Sequence, residues 1–197
     1  MSIFGTRREQ TRDNKAFATS TDFCRIFETD MDRLYTLSLL LTGDSELAEK
    51  CFVRGLEDSK NGNPVFKEWA EAWARRAIIN NAIREIRPRP YGQQSAQDVA
   101  SIATLPPKLA AIIALPAFER FVFVMSVLEG YSHRDCKLLL DCSNFDIAEA
   151  RARALQRLGT SNEEQDKVIS ILRLKSHTKG LESLLSSEMT QRLTASA

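Results

Sequence analysis

Apolar residues recur every three or four positions along most of this chain, in segments cut by short polar or glycine-bearing breaks, and this predicts a helical protein. Phe23 and Phe27 mark a first helix, and Leu34, Leu37 and Leu41 a second that Thr42-Gly43-Asp44 interrupts. Asp44 is placed to cap a third helix built on Leu47, Ala48, Cys51 and Phe52. After the loop Asn61-Gly62-Asn63-Pro64, a long helix from Val65 to Arg87 carries Phe66, Trp69, Trp73, Ala77 and Asn80 along one stripe. Aromatics at helical spacing predict core, with base stacking as the other use they could have.

Residues 115–158 predict two helices joined by a short turn and followed by a third helix, the outline of a helix-turn-helix. Pro116 suits a helix start, because a missing N–H costs nothing there, and Phe121, Val124, Met125 and Leu128 keep helical spacing until Glu129-Gly130. Ser132 is placed as an N-cap with Asp135 three positions on, and Leu138 and Leu139 are expected to give the next helix its buried side. Asp141-Cys142-Ser143-Asn144 is the turn. From about Phe145, Ile147, Ala150, Ala154, Leu155 and Leu158 point inward and Arg151, Arg153 and Arg157 outward.

These segments divide the chain into five parts. Residues 1–19, rich in Arg, Asp, Asn, Thr and Gln, predict a loose arm; 20–87 form one helical domain. Residues 88–113 are a linker punctuated by Pro88, Pro90, Gly92, Pro106 and Pro107, with room for a short helix. Residues 114–159 form the helix-turn-helix domain, and 160–197 a tail. In the tail, Val168, Ile171, Leu172 and Lys175 suggest one amphipathic helix; Leu181, Leu184, Leu185, Glu188, Met189 and Leu193 suggest another. The expected class is all-α, two small helical domains with a C-terminal helical extension. Packing on the two domains is one use for the tail, and covering a binding surface is the other.

Composition narrows the functions. Eight glycines and six prolines in 197 residues, with no alternating β pattern, agree with helices. No apolar run approaches the roughly 20 residues that cross a bilayer, and the first residues are polar, so the expectation is a cytoplasmic protein without a membrane partner. Cys24, Cys51, Cys136 and Cys142 form no CxxC pair, and His133 and His177 are the sole histidines, so reduced thiols are expected rather than a metal site. No nucleophile–base arrangement, P-loop or dinucleotide-binding glycine pattern is present, so neither an enzymatic role nor a cofactor is expected. The net charge of +1 decides nothing, but Arg75, Arg76, Arg84, Arg87 and Arg89 concentrate positive charge locally, with Glu85 opposing. Such a surface suits phosphate contacts, or is simply a solvated helix face.

The wording of two stretches resembles the extracytoplasmic-function sigma factors of the RNA polymerase sigma-70 family. LP…R…VFVM…LEGYS…D…L…CS…IAEARARALQRL is similar, in register, to region 4, the module that reads the −35 promoter element. DMDRLYTLSLLLTGDSELAEKCF, followed by AWARRAIINNAIREIR, is similar to region 2, which includes the helix for the −10 element. The resemblance implies a transcription initiation protein with core RNA polymerase and promoter DNA as partners, and an anti-sigma factor as a further one. Carried onto this sequence, it implies −10 contacts from Arg75, Arg76, Asn80, Arg84 and Arg87. Helix-turn-helix contacts would come from Ser143, Asn144, Arg151, Arg153 and Arg157, and polymerase contacts from Ala48, Glu49, Lys50, Val53 and Arg54.

The chain departs from the family at the same places. After Ala48-Glu49, where family members carry an acidic residue and a Gln-Glu pair, it has Lys50, Val53 and Arg54, which reverses the sign of a polymerase contact. In region 4, Lys137 stands for a small residue, Asp141 for the turn glycine, and Asp146-Ile147-Ala148-Glu149-Ala150 for the donor-rich opening of the recognition helix. Residues 115–158 hold six Arg or Lys against six Asp or Glu, a weak balance for a phosphate-binding surface. These departures suit an alternative, a degenerate sigma-like protein acting as a protein-interaction or regulatory module without promoter recognition. A helix-turn-helix regulator that dimerises on palindromic DNA is a third expectation, which sizing in solution tests.

Overall fold

The computed structural model describes residues 16–90 and 106–159. The start of the arm, the middle of the linker and the whole tail fall outside the described residues, and with them the expected tail helices.

The described part is all-α. Thr19 caps α1 (Ser20–Thr29) in a capping box with Asp22, and the Thr19 backbone N–H, then its hydroxyl, hold the Asp22 carboxyl down at about 2. The arm is not loose up to its end: Phe17 stacks on Phe66, and the Ala18 N–H donates to the Val65 carbonyl. α2 (Met31–Thr42) stops at Gly43, whose φ of 71° is the left-handed conformation a glycine adopts without strain. Asp44 caps α3 (Ser45–Asn61) by accepting from the Leu47 N–H at 2.8 Å, as the sequence predicts. A 3-10 turn, Lys67–Trp69, leads into α4 (Ala70–Ile86).

α3 and α4 approach closely at Gly55, where an added Cβ would lie 2.8 Å from Ile78 Cγ1. That closeness explains why the aromatic stripe is not core. Phe66, Trp69 and Trp73 are exposed, and the inward side of α4 is made of Ala70, Ala74, Ala77, Ile78 and Ala82. Small side chains let the helices meet, and the tighter winding of the 3-10 turn puts Trp69 out of register with them.

In the second half, α5 (Pro107–Ile113) fills the end of the expected linker and starts with proline at its first position. α6 (Ala117–Phe123) continues as a π-helical turn, Val124–Leu128, in which the Glu129 N–H reaches the Val124 carbonyl and the Ser126 hydroxyl donates to the Val122 carbonyl. α7 (His133–Leu140) and α8 (Asn144–Arg157) flank a three-residue turn, with Ser132 and Ser143 as their caps. α8 begins one residue earlier than the pattern suggests, because the Ser143–Asp146 capping box reaches back to Ser143. Leu138 is exposed rather than buried: Cys136 and Leu140 face inward, and a residue two places from each lies about 200° around the helix.

One buried cluster runs through both halves. Leu34, Leu37, Leu41 and Ile78 from the first half join Ile112, Ile113, Phe121, Val124 and Ile147 from the second.

Candidate functional site

The sequence-predicted polymerase contacts lie along α3 but differ in access. Ala48 is fully buried, and its carbonyl accepts the Ser38 hydroxyl at 2.7 Å, so it is a packing residue rather than a contact. Val53 is exposed. Lys50 Nζ lies 2.9 Å from Glu85 on α4, and Arg54 pairs with the other oxygen of the same carboxylate. The Lys50 ammonium, with Arg54 beside it, holds Glu85 below the usual carboxylate range. Opposite charges at positions 50 and 54 would break this link: two cations one helical turn apart grip a single acid across the α3–α4 packing.

On α4, Arg76, Asn80, Arg84 and Arg87 recur every three or four residues and keep one stripe open to solvent. Arg84 pairs with Asp58 at 3.1 Å, and Arg87 ends the helix at φ 50°. Arg75 is turned elsewhere, 3.4 Å from Glu129 beyond the π turn of the second half. Tyr131 lies in the same region: burial pushes its phenol up, against the field of Arg76 and Arg75. Asn80 is partly exposed, and the neighbouring Asn81 is the buried, bonded one, donating to Asp58 and to the Ala77 carbonyl.

The helix-turn-helix arginines do not point outward as a set. Arg153 Nε lies 3.1 Å and Arg157 Nε 2.9 Å from the oxygens of Glu119 on α6, whose side chain is 7% exposed. Arg153 also reaches Glu149 at 2.9 Å. Arg151 lies 3.4 Å from the His133 ring and is partly covered. Ser143 is occupied by capping, since its hydroxyl accepts from the Asp146 N–H, and the Ser143 hydroxyl and backbone N–H hold Asp146 below its ordinary range. What α8 leaves exposed is Asn144, Phe145, Ala148, Ala152, Gln156 and the outer part of Arg157. Phe145 is 70% exposed, and Leu138 across the turn 67%.

Arg120 was not singled out by spacing and is the most constrained polar group among the described residues. It is 2% exposed, and its guanidinium donates to four carbonyls: Leu41 at 3.2 Å, Thr42 at 3.1 Å, Ile113 at 2.8 Å and Leu115 at 3.3 Å. Leu41 and Thr42 end α2, and Ile113 ends α5, so the cation sits where helix-terminal carbonyls lack partners and the helix dipoles are negative. Burial still pulls its pKa down to about 10. The sequence signal was present: Glu119 and Arg120 are the sole charges in the apolar run 115–128, and the structure uses both, one outward toward α8 and one inward toward α2.

Cys51 and Cys136 are fully buried, and desolvation raises both thiols to about 11, so neither is a thiolate at neutral pH. Among the described residues no group of His, Cys, Asp and Glu could hold a metal ion, and no helix is long and apolar enough to cross a membrane. Compared with protein-family models and with curated proteins, the chain matches none.

Proposed function

We propose that this chain is a sigma-like helical protein that works through protein contacts, as an interaction or regulatory module without −35 promoter recognition. The observation that carries this reading is the engagement of Arg153 and Arg157 by the buried Glu119 carboxylate. Withdrawing both cations would leave the Glu119 carboxylate, 7% exposed, without its counter-charges, which burial disfavours. DNA phosphates therefore compete poorly for them. The exposed side of α8 offers Asn144, Phe145, Ala148, Ala152 and Gln156 with a single cation, Arg157, which Glu119 already engages, so it has little to draw a polyanion and an exposed aromatic suited to a protein partner.

A second reading keeps its own support. The open stripe Arg76, Asn80, Arg84 and Arg87 suits phosphates, and with core RNA polymerase supplying the rest, the chain would be an initiation protein contacting promoter DNA mainly through α4. One experiment separates the two. Purified chain is mixed with core RNA polymerase and forked promoter DNA fragments at physiological salt, and complexes are resolved by sizing and by DNA anisotropy. The module reading expects any DNA binding to be weak, sequence-independent and strongly salt-dependent. A co-eluting polymerase complex that selects one promoter sequence overturns it in favour of initiation, with an anti-sigma factor then the partner to seek.

A further inference from the structure

Leu138 and Phe145 are large apolar side chains, 67% and 70% exposed, on either side of the α7–α8 turn. Chain geometry keeps two residues seven apart across such a turn within roughly 20 Å. Arg134 and Lys137, also exposed, lie beside Leu138 on α7, while the exposed Asp141 lies in the turn and Asp146 next to Phe145, so the basic side of this surface is the α7 side alone. Two large apolar side chains exposed beside one turn offer a partner apolar area to bury.

The chain itself supplies a cover of matching chemistry. Leu181, Leu184, Leu185, Met189 and Leu193 repeat at helical spacing over a stretch that would measure about 20 Å as a helix. The same stretch carries two acids, Glu182 and Glu188, against one base, Arg192, which suits the Arg134–Lys137 margin. About 21 residues separate Gly159 from Leu181; a flexible chain of that length would span about 25 Å root-mean-square, and the short helix expected over 168–175 would change that reach little. The distance to cover is similar, since the 14 residues of α8 rise about 21 Å from Gly159 back to Phe145. A tether whose mean length matches its span gives an effective concentration near its maximum, in the millimolar range, so even weak apolar contacts hold the segment.

We infer that residues 181–193 dock on the Leu138–Phe145 face of the helix-turn-helix as a built-in occupant, which an external partner must displace. The inference rests on the module reading in treating that face as protein-binding. The two fail separately: the polymerase and DNA experiment does not report on the tail, and the one that follows uses neither.

Hydrogen exchange by mass spectrometry on the full chain at low micromolar concentration tests it. Peptides within 181–193 should exchange at least ~10-fold more slowly than free coil. The pair Leu138→Glu and Phe145→Glu should return them to coil rates while α1–α4 keep their protection, since both side chains are already exposed. The reciprocal pair Leu184→Glu and Leu185→Glu should speed exchange in peptides covering 136–148. Coil-like exchange of 181–193 in the unaltered chain overturns the inference. So does protection that survives the Leu138 and Phe145 changes, which would seat the segment elsewhere, or protection that fades on dilution, which would assign the face to a second copy.

Discussion

Arg120 holds a full positive charge in a nearly closed site with four carbonyl oxygens and no carboxylate. Its planar fork matters, because donors fixed in one plane meet carbonyls from two helix ends at once, and a lysine ammonium is a compact point charge that cannot reach them all. Arg120→Lys keeps the charge and loses the geometry, leaving buried helix-terminal carbonyls unpaired. We expect a loss of roughly 2–4 kcal/mol in urea unfolding, within the cost of orphaned buried acceptors around a charged donor. A change below about 0.5 kcal/mol would show that water or movement satisfies those carbonyls.

At the scale of elements, caps and breaks were legible in the sequence because their chemistry is local. Asp44 and Ser132 cap the helices they precede and Gly43 stops α2, as the sequence predicts, whereas Ser143, read there as a turn residue, proves to be the cap of α8. Which side of a helix faces inward was less legible, because it depends on the neighbour. Trp69 and Trp73 are exposed since α3 comes too close to α4 for a bulky stripe, and Leu138 is exposed since Cys136 and Leu140 set the inner side of α7. The candidate site suffered in the same way: type and spacing located the cations, but their partners Glu85, Glu119 and Glu129 come from other helices. The α3–α4 clasp gives a test. Replacing Lys50 and Arg54 by glutamates places three carboxylates together, so the midpoint of thermal unfolding should fall, and more at low salt than at high, where like charges are screened. Adding Glu85→Lys to that pair should restore most of the loss; no recovery would mean that the clasp contributes little to packing.

At the scale of the whole molecule, continuity of the core decides how the two halves behave. Leu41, Ile112, Ile113, Phe121 and Ile147 lie in one buried cluster, and Arg120 ties α6 to the last carbonyls of α2. Parting the halves would expose these side chains, each costing about 1.5–3 kcal/mol in water, and would release a guanidinium that gains hydration in return. The apolar terms outnumber that single gain, so the halves should unfold together. Trp69 and Trp73, the two tryptophans of the chain, both lie at the start of α4 and report on the first half, whereas far-UV circular dichroism reports on every helix. Urea transitions followed by the two probes should coincide. If fluorescence and dichroism separate, with α6–α8 melting first, the shared core is a contact between independent units, and the Arg75–Glu129 pair becomes a hinge contact whose opening frees Arg75 to join the exposed basic stripe of α4. Coincidence would mean that Arg75 stays engaged whenever the chain is folded, leaving Arg76, Arg84 and Arg87 as the arginines of that stripe which a phosphate can reach.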